Sequence, residues 1–266
     1  MAAEERFAFI LVRTKAAGNI GAAARALANM GFGDLRLVAP DASADRVASE
    51  MAVHGREILR RATTYPDLGA ALHDRVLSIG TTCRPGFYRS AAQPLRSAIS
   101  ELAASNPHDR IAFVFGPEDH GLSNDDLRYC QRLITIPTAP QYTSINLAQS
   151  VMLVAYELLM AADSSSTTST LAPDDGSHHD RLLATAPVGE IEMMLGRMEK
   201  ALVSIGFLAE DSTERIMFAL RGILGRAGLN RRELDILSGI ARQIGWFAEG
   251  GREIIEQKRR RGKKIR

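Results

Sequence analysis

Two cysteines, Cys83 and Cys130, are all that this chain of 266 residues offers toward disulfide or thiolate chemistry. They form neither a disulfide framework nor a metal-binding spacing, so a reducing, cytosolic compartment is expected. A long lipid-compatible run is also missing. The most apolar stretch, Ile145 to Ala162, is broken by Asn146, Gln149, Ser150 and Glu157, which makes it a poor membrane span. The opening residues, Met1-Ala-Ala-Glu-Glu-Arg6, are acidic before they are basic, unlike a secretory signal. Nucleotide-binding signatures are incomplete. Gly18-Asn-Ile-Gly21 follows an apolar run, but it lacks the third glycine of the dinucleotide fingerprint and the lysine of a phosphate-binding loop. Asp119, His120 and Ser123 lie close together without the spacing of a nucleophile elbow, which argues against a hydrolase. Glu118, Asp119 and His120 are consecutive, and adjacent side chains rarely converge on one ion, so no metal is expected there.

What is present is an ordinary globular composition with an uneven charge. The net charge is +2, yet Lys258 to Arg266 carries seven basic side chains, and removing them leaves −5. Such a tail suits a phosphate backbone through counterion release. A second compositional break falls at Asp163 to Thr170 and Pro173 to Asp180, which are almost free of apolar residues and read as a linker. His178-His179 belongs to that linker. The expected organisation is a first domain over 1–162, a flexible linker over 163–180, a helical domain over 181–257 and a basic tail over 258–266.

In the first domain, short apolar runs alternate with helical segments. Phe7–Val12, Leu35–Ala39, Val76–Ile79, Ile111–Phe115 and Leu133–Ile136 read as strands, with a small-residue helix from about Ile20 to Met30. The pattern predicts an α/β domain with a parallel sheet covered on both faces. Ligands in such sheets bind at loops beyond the carboxyl ends of the strands. Ser123 with Asp126, and Asn230 with Glu233, have the spacing of capping boxes. Ser144 is expected to cap the helix after it, with Asn146 in its first turn. That helix is apolar on more than one side, which predicts either ordinary core or a subunit interface. Beyond the linker, helices are expected over Val188–Ile205, Thr213–Leu224 and Arg231–Phe247.

Three segments, in this order, resemble the SpoU/TrmH group of SPOUT-class RNA 2′-O-methyltransferases. They are Asn19-Ile-Gly-Ala-Ala-Ala-Arg25 through Phe32, Phe113-Val-Phe-Gly-Pro-Glu118 through Ser123, and Ile134–Pro137 with Ser144-Ile-Asn-Leu-Ala148 through Val151. The helical region, with Met198 to Leu208 and Arg221 to Ile240, resembles the C-terminal extension of the TrmJ group. The resemblance implies a trefoil knot at the carboxyl end of the first domain, a homodimer, S-adenosylmethionine as cofactor, and tRNA as substrate at ribose 32 of the anticodon loop. Another RNA, such as rRNA, or a non-catalytic RNA-binding role are the alternatives. By motif, Thr81, Thr82, Cys83, Gly116, Ile136, Thr143, Ser144 and Ile145 would line the cofactor pocket. Arg25 would be catalytic, supported by Asn19, Glu118 and Asn146.

The implied reaction is in-line attack of a ribose 2′-hydroxyl on a sulfonium methyl, which needs no metal because the cofactor supplies the electrophile. A guanidinium is normally protonated at neutral pH, so Arg25 is expected to stabilise the developing alkoxide and hold a neighbouring phosphate rather than act as a base. Gly116 is expected to let the backbone approach the ligand. Arg13, Lys15, Arg84 and Arg89 are the loop cations expected to meet RNA, together with the second domain and the tail.

Overall fold

The structure, a computed structural model, describes residues 6–42, 46–83, 92–103, 106–165, 185–209 and 211–251. The chain divides into two compact units, Met1–Asp175 with Pro187–Gly189, and Gly176–Ala186 with Glu190–Arg266. Most of the proposed linker, all of the basic tail, His178-His179, Arg84 and Arg89 lie outside the described residues.

The first unit is a seven-stranded sheet: β1 (Phe7–Val12), β2 (Asp34–Val38), β3 (Thr63–Tyr65), β4 (Leu77–Thr81), β5 (Gln93–Pro94), β6 (Ile111–Phe115) and β7 (Arg132–Thr135). Its order is β3-β2-β1-β6-β4-β7-β5, and every pairing is parallel. The five strands expected from the apolar runs are all present. The additional ones are the short edges β3 and β5. Every residue of β1 and β6 is buried, as expected for central strands covered on both faces. Register pairs Phe9 with Phe113 and Leu11 with Phe115, and the rings of Phe7, Phe9, Phe32, Phe113 and Phe115 pack on one another.

The connections supply α1 (Ala17–Met30), α2 (Arg46–Ala52), α3 (Arg56–Arg61), α4 (Leu68–Leu72), α5 (Leu95–Ala103), the single turn α6 (Asn124–Leu127) and α7 (Leu147–Ser165). The small residues of α1 are there for packing. A Cβ on Gly21 would fall 2.0 Å from the carbonyl oxygen of Ala48, so α2 seats directly on α1. Gly18-Asn-Ile-Gly21 is thus helical rather than a phosphate loop.

Chain order and sheet order part at β1. The chain first builds outward through β2 and β3, then places β6 and β4 on the other side. This reversal puts the loops after β1 and β6 side by side at the carboxyl ends of adjacent strands, where parallel sheets form ligand crevices.

The second unit contains α8 (Val188–Ser204) from Glu190 on, α9 (Thr213–Ala227) and α10 (Arg231–Trp246). Its core gathers Ile191, Met194, Leu195, Leu208, Met217, Leu229 and Leu234. The expected capping box opens α10: the Asn230 side chain accepts from Glu233 N, and Glu233 accepts from Asn230 N, both at 2.9 Å.

Candidate active site

A pocket of about 320 Å³ opens at the carboxyl ends of β4, β6 and β7. The loop after β4 contributes Thr81, Thr82 and Cys83. The loop after β6 contributes Gly116, Glu118 and its neighbours, and the segment after β7 contributes Ile136, Thr143, Ser144 and Ile145. All eight residues expected at a cofactor pocket therefore line one cavity. Leu122, Leu147 and Ser150 also line it and were not anticipated from the motifs. Short bonds fix the walls: Thr81 Oγ1 donates to Val114 O at 3.1 Å, and Thr82 N donates to Ile134 O at 2.9 Å. No lysine or arginine is among the described lining residues.

Gly116 lines the pocket and is also required by the loop's own packing. A Cβ there would lie 2.2 Å from the backbone of Gly121 and Leu122. The loop folds back on itself at Gly116, and a side chain would collide with the returning chain. Gly121 closes the turn at a φ of +66°. The capping box of α6 then forms as expected, with Ser123 Oγ accepting from Asp126 N at 3.2 Å.

Three of the four candidate catalytic residues meet. Ala16, at the N-cap position of α1, provides no side-chain cap. Glu118, about a hundred residues on, anchors the chain entering the helix instead: its carboxylate accepts from Lys15 N at 3.0 Å, Ala16 N at 3.2 Å and Asn19 Nδ2 at 2.7 Å. An anion at a helix amino terminus is favoured by the unpaired N–H groups and the dipole. Burial pushes the Glu118 carboxyl upward, but the bonds from Asn19 and the surrounding N–H groups outweigh it and hold the group below its ordinary value. Asn19 Oδ1 in turn accepts from Asn146 Nδ2 at 3.0 Å. Asn146 itself caps α7, its Oδ1 accepting from Ala148 N at 2.9 Å. The cap was expected at Ser144; that residue lines the pocket instead, and the helix begins at Leu147.

Arg25 stands apart. It is exposed, touches no side-chain partner among the described residues and is not a lining residue of the pocket. It lies six residues beyond Asn19, about 9 Å along the helix axis. Its neighbours Ala24 and Ala26 are buried, so it points outward from an otherwise packed helix.

Two cations expected to meet RNA are already paired. Arg13 grips Asp126, with Nη1 to Oδ1 at 3.2 Å and a second, shorter bond from Nη2. Lys15 Nζ pairs with Asp119, whose other oxygen lies 2.6 Å from His120 Nδ1. The hydrogen bond from Lys15 is the chief cause that holds Asp119 at about 2. Their charge is spent on holding loops together. Among the described residues, no group of three His, Cys, Asp or Glu side chains is arranged to hold a metal, and no helix is long and apolar enough to cross a membrane.

Comparison with known proteins agrees with this architecture. Residues 6–156 match the model of the SpoU rRNA methylase family, and residues 189–259 match the C-terminal domain of the tRNA methyltransferase TrmJ. The tRNA (cytidine/uridine/adenosine-2′-O-)-methyltransferase TrmJ of Pseudomonas aeruginosa is 33% identical over 249 residues, covering 92% of this chain and 96% of that protein. The crystal structure of TrmJ from Z. mobilis superposes with a TM-score of 0.74 at 30% identity, over 89% of this chain and 98% of that one. The SpoU methyltransferase AviRb from Streptomyces viridochromogenes, solved in complex with AdoMet, shares the fold at 17% identity and a TM-score of 0.50, over 62% of this chain and 60% of that one. The chain belongs to the SpoU methylase family and carries the C-terminal domain of its TrmJ members.

Proposed function

We propose that this protein is a tRNA 2′-O-methyltransferase that uses S-adenosylmethionine, acts on the ribose at position 32 of the anticodon loop, and works in the cytosol as a homodimer with the trefoil knot of its family. The observation that carries the reading is the convergence of the second and third motif segments with the loop after β4 on one pocket, to which Asn19 of the first motif is joined through hydrogen bonds with Glu118 and Asn146.

The pocket fits the cofactor chemically. Its volume lies at the lower end of the range for small-molecule sites. Ile136, Ile145, Leu122 and Leu147 offer apolar walls for an adenine, and the backbone around Thr82 and Gly116 offers polar groups. A cationic sulfonium meets Glu118 and Asp119 among the described lining residues. When bound, S-adenosylmethionine supplies an electrophilic methyl group and departs as a neutral thioether.

The protein's part is orientation and charge. Glu118 and Asn146 lock Asn19 and the start of α1, which supports a role in placing the ribose. Arg25, uncommitted on the surface of α1, suits a phosphate beside the reacting ribose and the developing alkoxide. As the hydroxyl oxygen bonds to the methyl carbon, the carbon–sulfur bond breaks and the hydroxyl proton is released. The homodimer is supported by α7. Its outward positions Leu153, Tyr156 and Met160 form an exposed apolar stripe, while Leu147 and Ser150 at its start line the pocket. A partner covering that stripe would also account for an arginine that lies away from its own chain's pocket.

The test is methyl transfer from labelled cofactor to unmodified tRNA and to rRNA, with the modified riboses mapped. A single 2′-O-methyl at position 32 is the expected result. Methylation elsewhere in tRNA, or of rRNA alone, would overturn the substrate assignment. Cofactor binding without transfer to either RNA would make the protein a non-catalytic homologue.

A further inference from the structure

We propose that Arg13 and Asp126 form a positioning pair for the transfer reaction, locking the loop that starts α1 to the loop after β6 so that Asn19 and Arg25 are held in register; this rests on the methyl-transfer reading above. Arg13 follows β1 directly and has a φ of +48°. A non-glycine residue in this left-handed region is strained, and such strain gathers where the surrounding structure has a use for it. Glycine would adopt the turn freely but would have no side chain to cross to the other loop. Arg13 crosses it with both terminal nitrogens, and Asp126 is buried where it receives them.

Asp126 is tied down from its own side as well. Its Oδ2 accepts from Ser123 N at 2.8 Å and from Ser123 Oγ at 2.7 Å. The carboxylate is therefore a fixed post on the loop that carries Glu118. On the other loop, Arg13 N donates to Val38 O at 2.8 Å, and the buried Thr14 accepts through its carbonyl from Asp41 N and Ala42 N, both at 3.1 Å. Lys15 N and Ala16 N then donate to Glu118. The ion pair closes the base of this zipper, and the Glu118 bonds close its top. Arg13 is not a lining residue of the pocket, so its effect reaches the reaction only through the start of α1.

The strain separates this role from plain stabilisation. In Arg13→Gly the pair is lost while the backbone strain is relieved, so the melting temperature should stay within a few degrees of the parent. Turnover should nevertheless fall about tenfold, with the KM for cofactor within twofold. The amides of Lys15 and Ala16 should exchange with solvent at least tenfold faster, a readout that needs neither cofactor nor RNA. Arg13→Lys, which keeps a charge but not the fork, should recover part of both losses. Unchanged amide exchange would overturn the proposal, as would turnover retained within twofold, or cofactor affinity falling in parallel with turnover. If the parent protein transfers no methyl group, the functional reading fails on its own, and the exchange data still decide whether Arg13 holds the loop.

Discussion

At the amino-terminal ends of the strands, Arg36 and Arg75 are buried and paired; beyond the carboxyl-terminal ends, the same residue types are half-exposed or left open. Arg36 bonds Asp34 through Nε at 3.0 Å and Asp74 through Nη1 at 2.6 Å, and Arg75 pairs with both carboxylates. Arg110 joins at Asp74, 3.3 Å away. A buried guanidinium has lost its hydration and must be repaid by nearby anions, so this cluster closes on itself. Around the pocket the carboxylates are also engaged, but with loops: Glu118 with backbone N–H groups, Asp119 with Lys15, Asp126 with Arg13. Arg25 alone of these arginines is left to solvent, where it keeps its hydration and its charge for an incoming anion. Among the described residues, one end commits its arginines to the fold, while the other leaves Arg25 open.

The contrast can be broken by substitution. Removing Arg25 should give the largest effect: Arg25→Ala is expected to lower turnover by about 10²–10³-fold, the scale for losing one group that stabilises developing negative charge, with the melting temperature unchanged. Single-turnover methyl transfer and a thermal melt check it together, and a fall in stability would show that Arg25 serves the fold. Arg25→Lys sharpens the point. Retained turnover with a new pH dependence near the lysine value would make the position a base; a large loss without one fits the electrostatic role.

Asp74→Ala tests the opposite end. It leaves Arg36 and Arg75 sharing Asp34, and should destabilise the chain by about 3 kcal/mol while the kcat of the folded enzyme is unchanged. The acid limb of stability belongs to the same test. Burial raises the Asp74 carboxyl, but Arg36, Arg75 and Arg110 outweigh it and hold it at about 2. A carboxyl depressed on folding contributes fully above its unfolded value near 4 and loses that contribution as pH falls toward 2. Denaturant unfolding at several pH values should therefore show the parent losing stability in that window and the variant losing less.

The smallest effect is expected at the junction of the two uses. Glu118→Gln keeps an acceptor for the N–H groups of Lys15 and Ala16 but removes the charge, so a loss of about 1–2 kcal/mol is expected. Turnover should fall several-fold with it, because Asn19 loses a charged partner. A stability loss with unaltered turnover would make Glu118 a structural anchor and nothing more.

Legibility in the sequence followed the range of the interactions. β1, β2, β4, β6 and β7 could be read as apolar runs because β1 and β6 are buried throughout and the other three through their centres. β3 and β5 could not: Thr63-Thr-Tyr65 is largely exposed, and Gln93-Pro94 is a two-residue edge carrying a proline. Both local capping boxes were legible, since their partners are three residues apart. The anchor at the start of α1 was not, because Ala16 carries no side-chain acceptor and Glu118 arrives from another loop. Ser144 was a reasonable cap by residue type, but Asn146 stands one residue before the first helical residue and takes the position.

By itself the sequence determined the parallel α/β first unit, the helical second unit and the family, because these depend on periodicity, local caps and ordered motifs. It also named eight of the residues that line the pocket. Only the tertiary structure decided which charges remain available. Arg13, Lys15 and Arg25 are alike as formal charges, yet two face carboxylates more than a hundred residues away and the third faces water. A charge's partner is a property of where the chain returns, and that return is fixed by the pairing of β1 with β6.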